Sequence, residues 1–324
     1  VHRRACLLAL ACACERGHGV ADQELGGLVV ADHAAPAGID VAHAAADPDE
    51  LGRALARPFT AELAALGGHG VDITTRTTVS ENGTQVSDLS DTTKLEVGPG
   101  SDTAPWHGLY TNSADYGRET TWAGGALFLR PRYQRWHRRP PETPDEPDKL
   151  RDGFADAVFA TWDLLAPGAE LTDAGAASVA GRTGRKIVVR LAPSPRPAPH
   201  EVLAQRGWRE HRTVDAIDGE VVLDADTGVP LSVRLTGAIT FQRDGHAFVM
   251  KLAATRTIAM GTASITEPAG SDVVATPERA REVDDRDFLL QGIAPPLRNG
   301  SNAAGTPGAS TAAAAAAASK DAHK

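Results

Sequence analysis

Hydrophobic and polar positions follow two different periods along this chain. Leu51, Leu55, Leu63 and Leu66 recur at helical spacing. They follow Asp47-Pro48-Asp49-Glu50, which supplies a capping carboxylate, a proline in the first turn and acids near the positive end of the helix dipole. Pro58 divides or kinks this run, and Gly67-Gly68 stops it. From His69 the period becomes two. Val71, Ile73, Thr75, Thr77 and Val79 alternate with Asp72, Thr74, Arg76 and Thr78, which predicts a strand. Asn82-Gly83 marks a turn, and Leu95 with Val97, then Leu109, then Trp122 predict further strands. Gly124-Gly125 turns into a segment over 126–130. Short strands with glycine-rich connections read as an antiparallel meander.

The pattern breaks at 139–148, where Pro140, Pro141, Pro144 and Pro147 interleave with four acids. This reads as an exposed, stiff loop. A helix over 148–166 follows. It places Leu150, Phe154, Val158, Trp162 and Leu165 close to one face, and Pro167-Gly168 ends it. Strands resume at 178–179 and 186–191. After a proline-rich loop over 193–199 come strands at 208–217, 220–224, 231–241 and 247–258. Asp226-Thr227-Gly228 and Arg243-Asp244-Gly245 are turn signals between them. Thr276-Pro277-Glu278 opens a last short helix ending near Gly292. Residues 298–324, with an alanine run at 312–318, read as a disordered tail.

The N-terminus changes the picture from fold to compartment. His2, Arg3 and Arg4 precede an apolar run from Ala5 to Ala13, the pattern of a secretory signal and too short to span a bilayer. All three cysteines, Cys6, Cys12 and Cys14, lie here. Ala9-Leu10-Ala11-Cys12 and Ala11-Cys12-Ala13-Cys14 both look like a bacterial lipobox, in which a small residue precedes a cysteine that is lipidated. Each has Ala three residues before the cysteine, where Leu is preferred. Lipidation at Cys12 or Cys14 is the expectation, and a plain cleaved signal is the alternative. Residues 15–47, rich in Gly, Ala, Asp and His, read as a tether. The expected organisation is therefore a signal over 1–14, a tether over 15–47, a folded domain over 48–297 and a tail over 298–324.

Composition and charge narrow the function. With 42% apolar and 23% charged residues the chain suits a globular core. A net charge of −9 argues against a general nucleic-acid binder. Catalytic signatures are missing. His200-Glu201 begins a zincin motif, but Ala204 stands at the closing position, and no Gly-x-Ser-x-Gly elbow, P-loop or Ser-x-x-Lys occurs. The 11 histidines are scattered, so no metal face is built, and no cofactor is expected. Asp224, Asp226 and Gly228 have half the spacing of a calcium loop but read better as a hairpin turn. Asp284, Asp285 and Asp287 read as a solvated helix face pairing with Arg281 and Arg286. The most unusual feature is a run in which Arg130, Arg132, Arg135, Arg138 and Arg139 alternate with Tyr133 and Trp136. Arginine with aromatics suits an anionic surface such as phospholipid heads. The competing readings are a strand edge whose charges deter aggregation, or arginines neutralised by the acids at 142–148.

Two segments carry a family resemblance. One runs from Glu119-Thr-Thr-Trp-Ala-Gly-Gly-Ala-Leu-Phe-Leu129 on to Arg139, ahead of the helical insertion. The other is Val179-Ala-Gly-Arg182 with 186–191, Trp208 and Val221-Val-Leu-Asp-Ala-Asp-Thr-Gly-Val-Pro-Leu231. With the order helix, strands, helices, strands, the chain over about 48–260 resembles the LolA/LolB-like lipoprotein-carrier superfamily, which also holds RseB-like envelope sensors. The motifs are short and mostly structural, and residues 260–297 match no pattern of that family. The resemblance implies an α+β fold: a curved antiparallel sheet, or half-barrel, with helices across its concave face and an apolar cavity that holds acyl chains. Leu63, Phe154, Val158 and Trp162, on the helices facing the sheet, are then the candidate ligand residues. The expected protein is a non-catalytic envelope lipoprotein of the periplasm or outer membrane. Its partners would be a lipid or acyl-chain ligand and the membrane that holds its anchor. A sensor or scaffold binding an envelope protein is the alternative, and an enzyme of unknown type is a third reading.

Overall fold

The computed structural model describes residues 38–100 and 104–275. The signal, both candidate lipidation cysteines, the acids at 284–287, the last expected helix and the tail lie outside these residues. The described chain begins with α1 (Val41–Ala44), α2 (Pro48–Leu55) and α3 (Phe59–Leu66). Residues 41–44 fall inside the expected tether, yet they fold. Asp40 caps the turn by accepting from the Ala42 and His43 amides, and Ala44 and Ala45 are small enough to seat in the core. Asp47 caps α2 through the Asp49 amide, with Pro48 in the first turn. Pro58 divides the run as its fixed φ requires, standing immediately before α3.

Twelve strands follow. Strands β1 (His69–Glu81), β2 (Thr84–Val97), β3 (Trp106–Asn112), β4 (Gly117–Ala123), β5 (Ala126–Pro131) and β6 (Trp136–Arg139) form a first meander. Helices α4 (Glu146–Ala155) and α5 (Ala157–Leu165) interrupt it. A second meander holds β7 (Ala169–Val179), β8 (Arg182–Leu191), β9 (Thr213–Asp224), β10 (Pro230–Arg243) and β11 (His246–Met260), and β12 (Val273–Ala275) closes the described chain. All twelve join one sheet in the order β12-β6-β5-β4-β3-β2-β1-β11-β10-β9-β8-β7. Every pairing is antiparallel except β12 on β6, which is parallel. The sheet is curved and unclosed, so the expected α+β half-barrel is observed. The seam between the meanders is β1 against β11, in unbroken register from His69–Met260 to Glu81–Phe248.

The expected turns lie where glycine tolerates a positive φ. Asn82-Gly83 joins β1 to β2 with φ of 48° and 85°, and Asp244-Gly245 joins β10 to β11 with 54° and 81°. Several elements differ from expectation: β7 begins at Ala169 rather than at 178, and the strands expected at 208–217 and 220–224 are the single strand β9. The helix over 148–166 starts earlier and is split at Asp156, where the Phe159 amide bonds back to the Asp156 carbonyl. Trp208 leaves the strand pattern and sits in a 3-10 segment over 204–209, so β9 starts only at Thr213.

The main core lies between one face of the sheet and the helices. Helix α4 packs on β2 and β3, and α5 on β1, β10 and β11, so the two straddle the seam. Val71, Leu95, Trp106, Val233, Leu235 and Ile239 meet Leu51, Phe59, Phe154, Val158, Trp162 and Leu165 there. A smaller cluster of Ala126, Phe128 and Trp136, with Val273, packs β12 against the end of the first meander.

Candidate functional site

The four expected ligand residues are packed into this core. Phe154, Val158 and Trp162 are 2%, 2% and 1% exposed, and Leu63 is half-buried against the same cluster. Phe154 meets the indole of Trp106 edge-on, with ring centroids 6.1 Å apart.

A groove opens on the outer side of the same helices. It holds about 590 Å³ between α2, α5 and the loop over 193–199. Gly52, Ala56, Phe159, Trp162, Pro167 and Pro197 give it apolar walls. Gly52 keeps it shaped, because a Cβ there would lie 3.0 Å from Nε1 of Trp162. The groove therefore reaches the backbone of α2 and the indole of the one expected ligand residue that lines it. Its rim is charged and internally paired. Arg196 donates through both terminal nitrogens to Asp49, each at 3.1 Å, and Arg53 pairs with Glu50. An apolar floor with a paired polar rim suits a ligand with an apolar body and a polar end. The proline-rich loop expected over 193–199 forms one wall of this groove.

The arginine run is dispersed by the hairpin that carries it. Arg130 donates from Nε to Glu119 at 2.9 Å and lies over the Trp136 ring, 4.5 Å from its centroid. Arg132 pairs with Asp115 at 2.9 Å. Arg135 donates to the Ser271 carbonyl. Arg138 lies 5.9 Å from the centroid of the Phe128 ring. Arg139 is not a surface residue: it is 6% exposed and holds Glu146 through two nitrogens, at 2.9 and 2.5 Å. Neutralisation by the acidic loop thus occurs at this one arginine. Trp136 and Arg139 are buried while His137 is half-buried and Arg138 exposed, so the run does not present one continuous face.

Two clusters of ionisable groups account for the remaining candidates. Asp224 is 1% exposed and accepts from the Thr227 amide and hydroxyl, at 2.9 and 2.8 Å, and from Nε of Arg182 at 2.5 Å. Burial raises its pKa, but Arg182 and Thr227 outweigh this and hold the carboxyl below its usual range. This carboxylate fixes the turn between β9 and β10, the reading expected from the sequence. The second cluster is wholly buried. Glu62 on α3 holds Arg256 on β11 through paired oxygens, one contact measuring 2.9 Å, and Nε2 of His69 on β1 lies 3.7 Å from the same carboxylate. Among the described residues no three His, Cys, Asp or Glu side chains gather as a metal ion needs, and no helix is long and apolar enough to cross a membrane.

No family model matches the chain, and no curated protein matches it. Similar solved structures are found, at low identity. LprF from Mycobacterium bovis is 14% identical, with 69% of this chain and 100% of that one covered and a TM-score of 0.26. The lipoprotein LppX of Mycobacterium tuberculosis is 13% identical, with 64% and 91% covered and a TM-score of 0.23. A LolA superfamily protein from Nitrosomonas europaea is 6% identical, with 61% and 90% covered and a TM-score of 0.18.

Proposed function

We propose that the protein is a non-catalytic binder of an amphipathic ligand, an acyl chain with a polar end, held in the groove between α2, α5 and the 193–199 loop. One observation carries the reading: this groove of about 590 Å³ combines apolar walls with a charged rim. Burying a chain of methylenes there is favourable by roughly 0.8 kcal/mol for each group removed from water. The same reading includes export to the cell envelope and a lipid anchor at Cys12 or Cys14, which rest on the N-terminal sequence.

Ala56 supplies the test because it lines the groove and is exposed, so changing it leaves the core intact. Native mass spectrometry of the protein mixed with a long-chain fatty acid is expected to show a stoichiometric adduct. Ala56→Glu places a carboxylate among the apolar walls and is expected to weaken the adduct at least tenfold. A clean apo mass at every concentration of added fatty acid or phospholipid would sink the proposal. A second reading then takes over, a sensor or scaffold for an envelope protein. It is favoured by the near-complete burial of Phe154, Val158 and Trp162 within the packed core cluster.

Lipidation is tested separately by labelling cells with an alkynyl fatty acid. The label is expected on the protein and lost in either Cys12→Ala or Cys14→Ala, which identifies the anchor. Label persisting when both cysteines are replaced would refute it.

A further inference from the structure

The groove between α2, α5 and the 193–199 loop is walled by one face of each helix. Asp49, Gly52 and Ala56 come from α2 and its C-cap, and Phe159, Trp162 and Asp163 from α5, each set at helical spacing. The charged side chains of the lining are all engaged. Arg196 holds Asp49, Arg53 pairs with Glu50, and Asp163 accepts from Arg209. Among the described residues of the lining, no cation is therefore left open to the carboxylate of a ligand.

One polar group in the floor is left over. The Trp162 side chain is 1% exposed, and its Nε1 lies where a Cβ on Gly52 would come within 3.0 Å. Among the described residues nothing accepts a hydrogen bond from this N–H. Gly52 keeps the N–H uncovered, because any side chain there would take up the space an acceptor needs. A donor in such a place costs free energy until an acceptor reaches it. The acceptor that suits it carries no charge. A carboxylate would give up its water among apolar walls for a single N–H and no cation, which is unfavourable. An ammonium head has no acceptor to offer. The carbonyl oxygen of an ester accepts the bond, brings no charge, and carries an acyl chain with it.

We propose that Trp162 determines the specificity of the groove, its Nε1–H donating to the carbonyl oxygen of an uncharged acyl ester. This rests on the acyl-binding reading above and narrows it from acyl chains in general to esters. The test uses the full chain with nitrogen-15 in its tryptophans and three ligands of matched chain length at neutral pH. These are monolauroylglycerol, the dodecyl ether of glycerol, which lacks the carbonyl, and laurate. The ester is expected to bind about tenfold tighter than either of the others, the worth of one hydrogen bond to an otherwise unpaired buried donor. It is also expected to shift the Trp162 indole N–H resonance, which the ether leaves in place. Trp162→Phe removes the N–H and identifies its resonance, and should bring ester and ether within about twofold of each other. Gly52→Ala should do the same by covering the N–H at a position where alanine is the better helix former, so the test survives if Trp162→Phe fails to fold. Equal affinity for ester and ether in the unchanged chain, with the Trp162 resonance unmoved, overturns the assignment and leaves acyl binding standing. Laurate bound as tightly as the ester overturns the preference for an uncharged head. No binding of any of the three overturns the acyl-binding reading itself, and the ester assignment with it.

Discussion

Glu62, His69 and Arg256 come from three elements and meet where solvent does not reach, at 1%, 0% and 2% exposure. Taking a carboxylate and a guanidinium out of water costs several kcal/mol each, and their mutual attraction offsets this only while both are present. Burial alone would raise the Glu62 pKa, but Arg256 and His69 outweigh it, so the carboxyl titrates below its ordinary value of 4.5. A depressed carboxyl contributes stability that is fully present above the unfolded pKa and is lost as pH falls through the folded one. Thermal stability is therefore expected to decline on acidification below about pH 4.5, and that part of the decline should vanish in the double variant Glu62→Leu/Arg256→Met. Arg256→Met alone should cost about 3–5 kcal/mol by chemical denaturation at neutral pH, and the double variant much less. Equal losses in the single and double variants would show that packing, not charge, dominates there. None of this was readable from the chain. Nothing in the helical spacing singles out Glu62, and its partner lies 194 residues away. Asp224 was legible because its partner Thr227 is three residues on and the turn chemistry is local.

At the scale of elements, two glycines let the helices seat on the sheet. A Cβ on Gly108 of β3 would lie 2.7 Å from the Phe154 ring, and one on Gly237 of β10 would lie 2.5 Å from the Leu165 side chain. These positions hold α4 and α5 respectively, on either side of the seam. Each alanine substitution therefore forces a helix outward or a side chain off its rotamer, a change costing typically 1–3 kcal/mol. Gly108→Ala and Gly237→Ala are each expected to lower the denaturation midpoint accordingly, although alanine is ordinarily the better strand or helix residue than glycine. An increase in stability would mean that the helices ride higher than the contacts show. The elements themselves were largely legible where periodicity was long. The alternation over 71–79 and the turn dipeptides located β1, β10 and β11 closely. The break at Asp156 was not legible, because the apolar spacing on either side continues through it. Trp208 was assigned to a strand because a large aromatic fits a strand pattern, whereas in the fold it packs tilted against Phe241, 4.2 Å between centroids, from a neighbouring 3-10 segment.

The described residues 38–100 and 104–275 form two meanders joined along one seam and one helical layer. All 13 residues of β1 pair with β11, and the core cluster draws on β1, β2, β3 and β5 from the first meander and on β7 to β11 from the second. Neither meander can keep its helix-facing side chains dry alone, since α5 packs on both sides of the seam. The halves should thus unfold together despite their separation in sequence. Hydrogen exchange offers the direct check. Amides of β1, β2, β10 and β11 sit at the centre of the sheet and are expected to exchange slowest, by opening of the entire domain. Those of the edge strands β7 and β12 should exchange first, because each lacks a neighbour on one side. Denaturant should bring the central amides of both meanders to a common opening free energy. If those of β9 and β10 instead converge on a lower value than those of β2 and β3, the second meander opens by itself. The seam would then be a hinge between two folding units, and the proposed groove would change shape with it, because its α5 wall packs across that boundary.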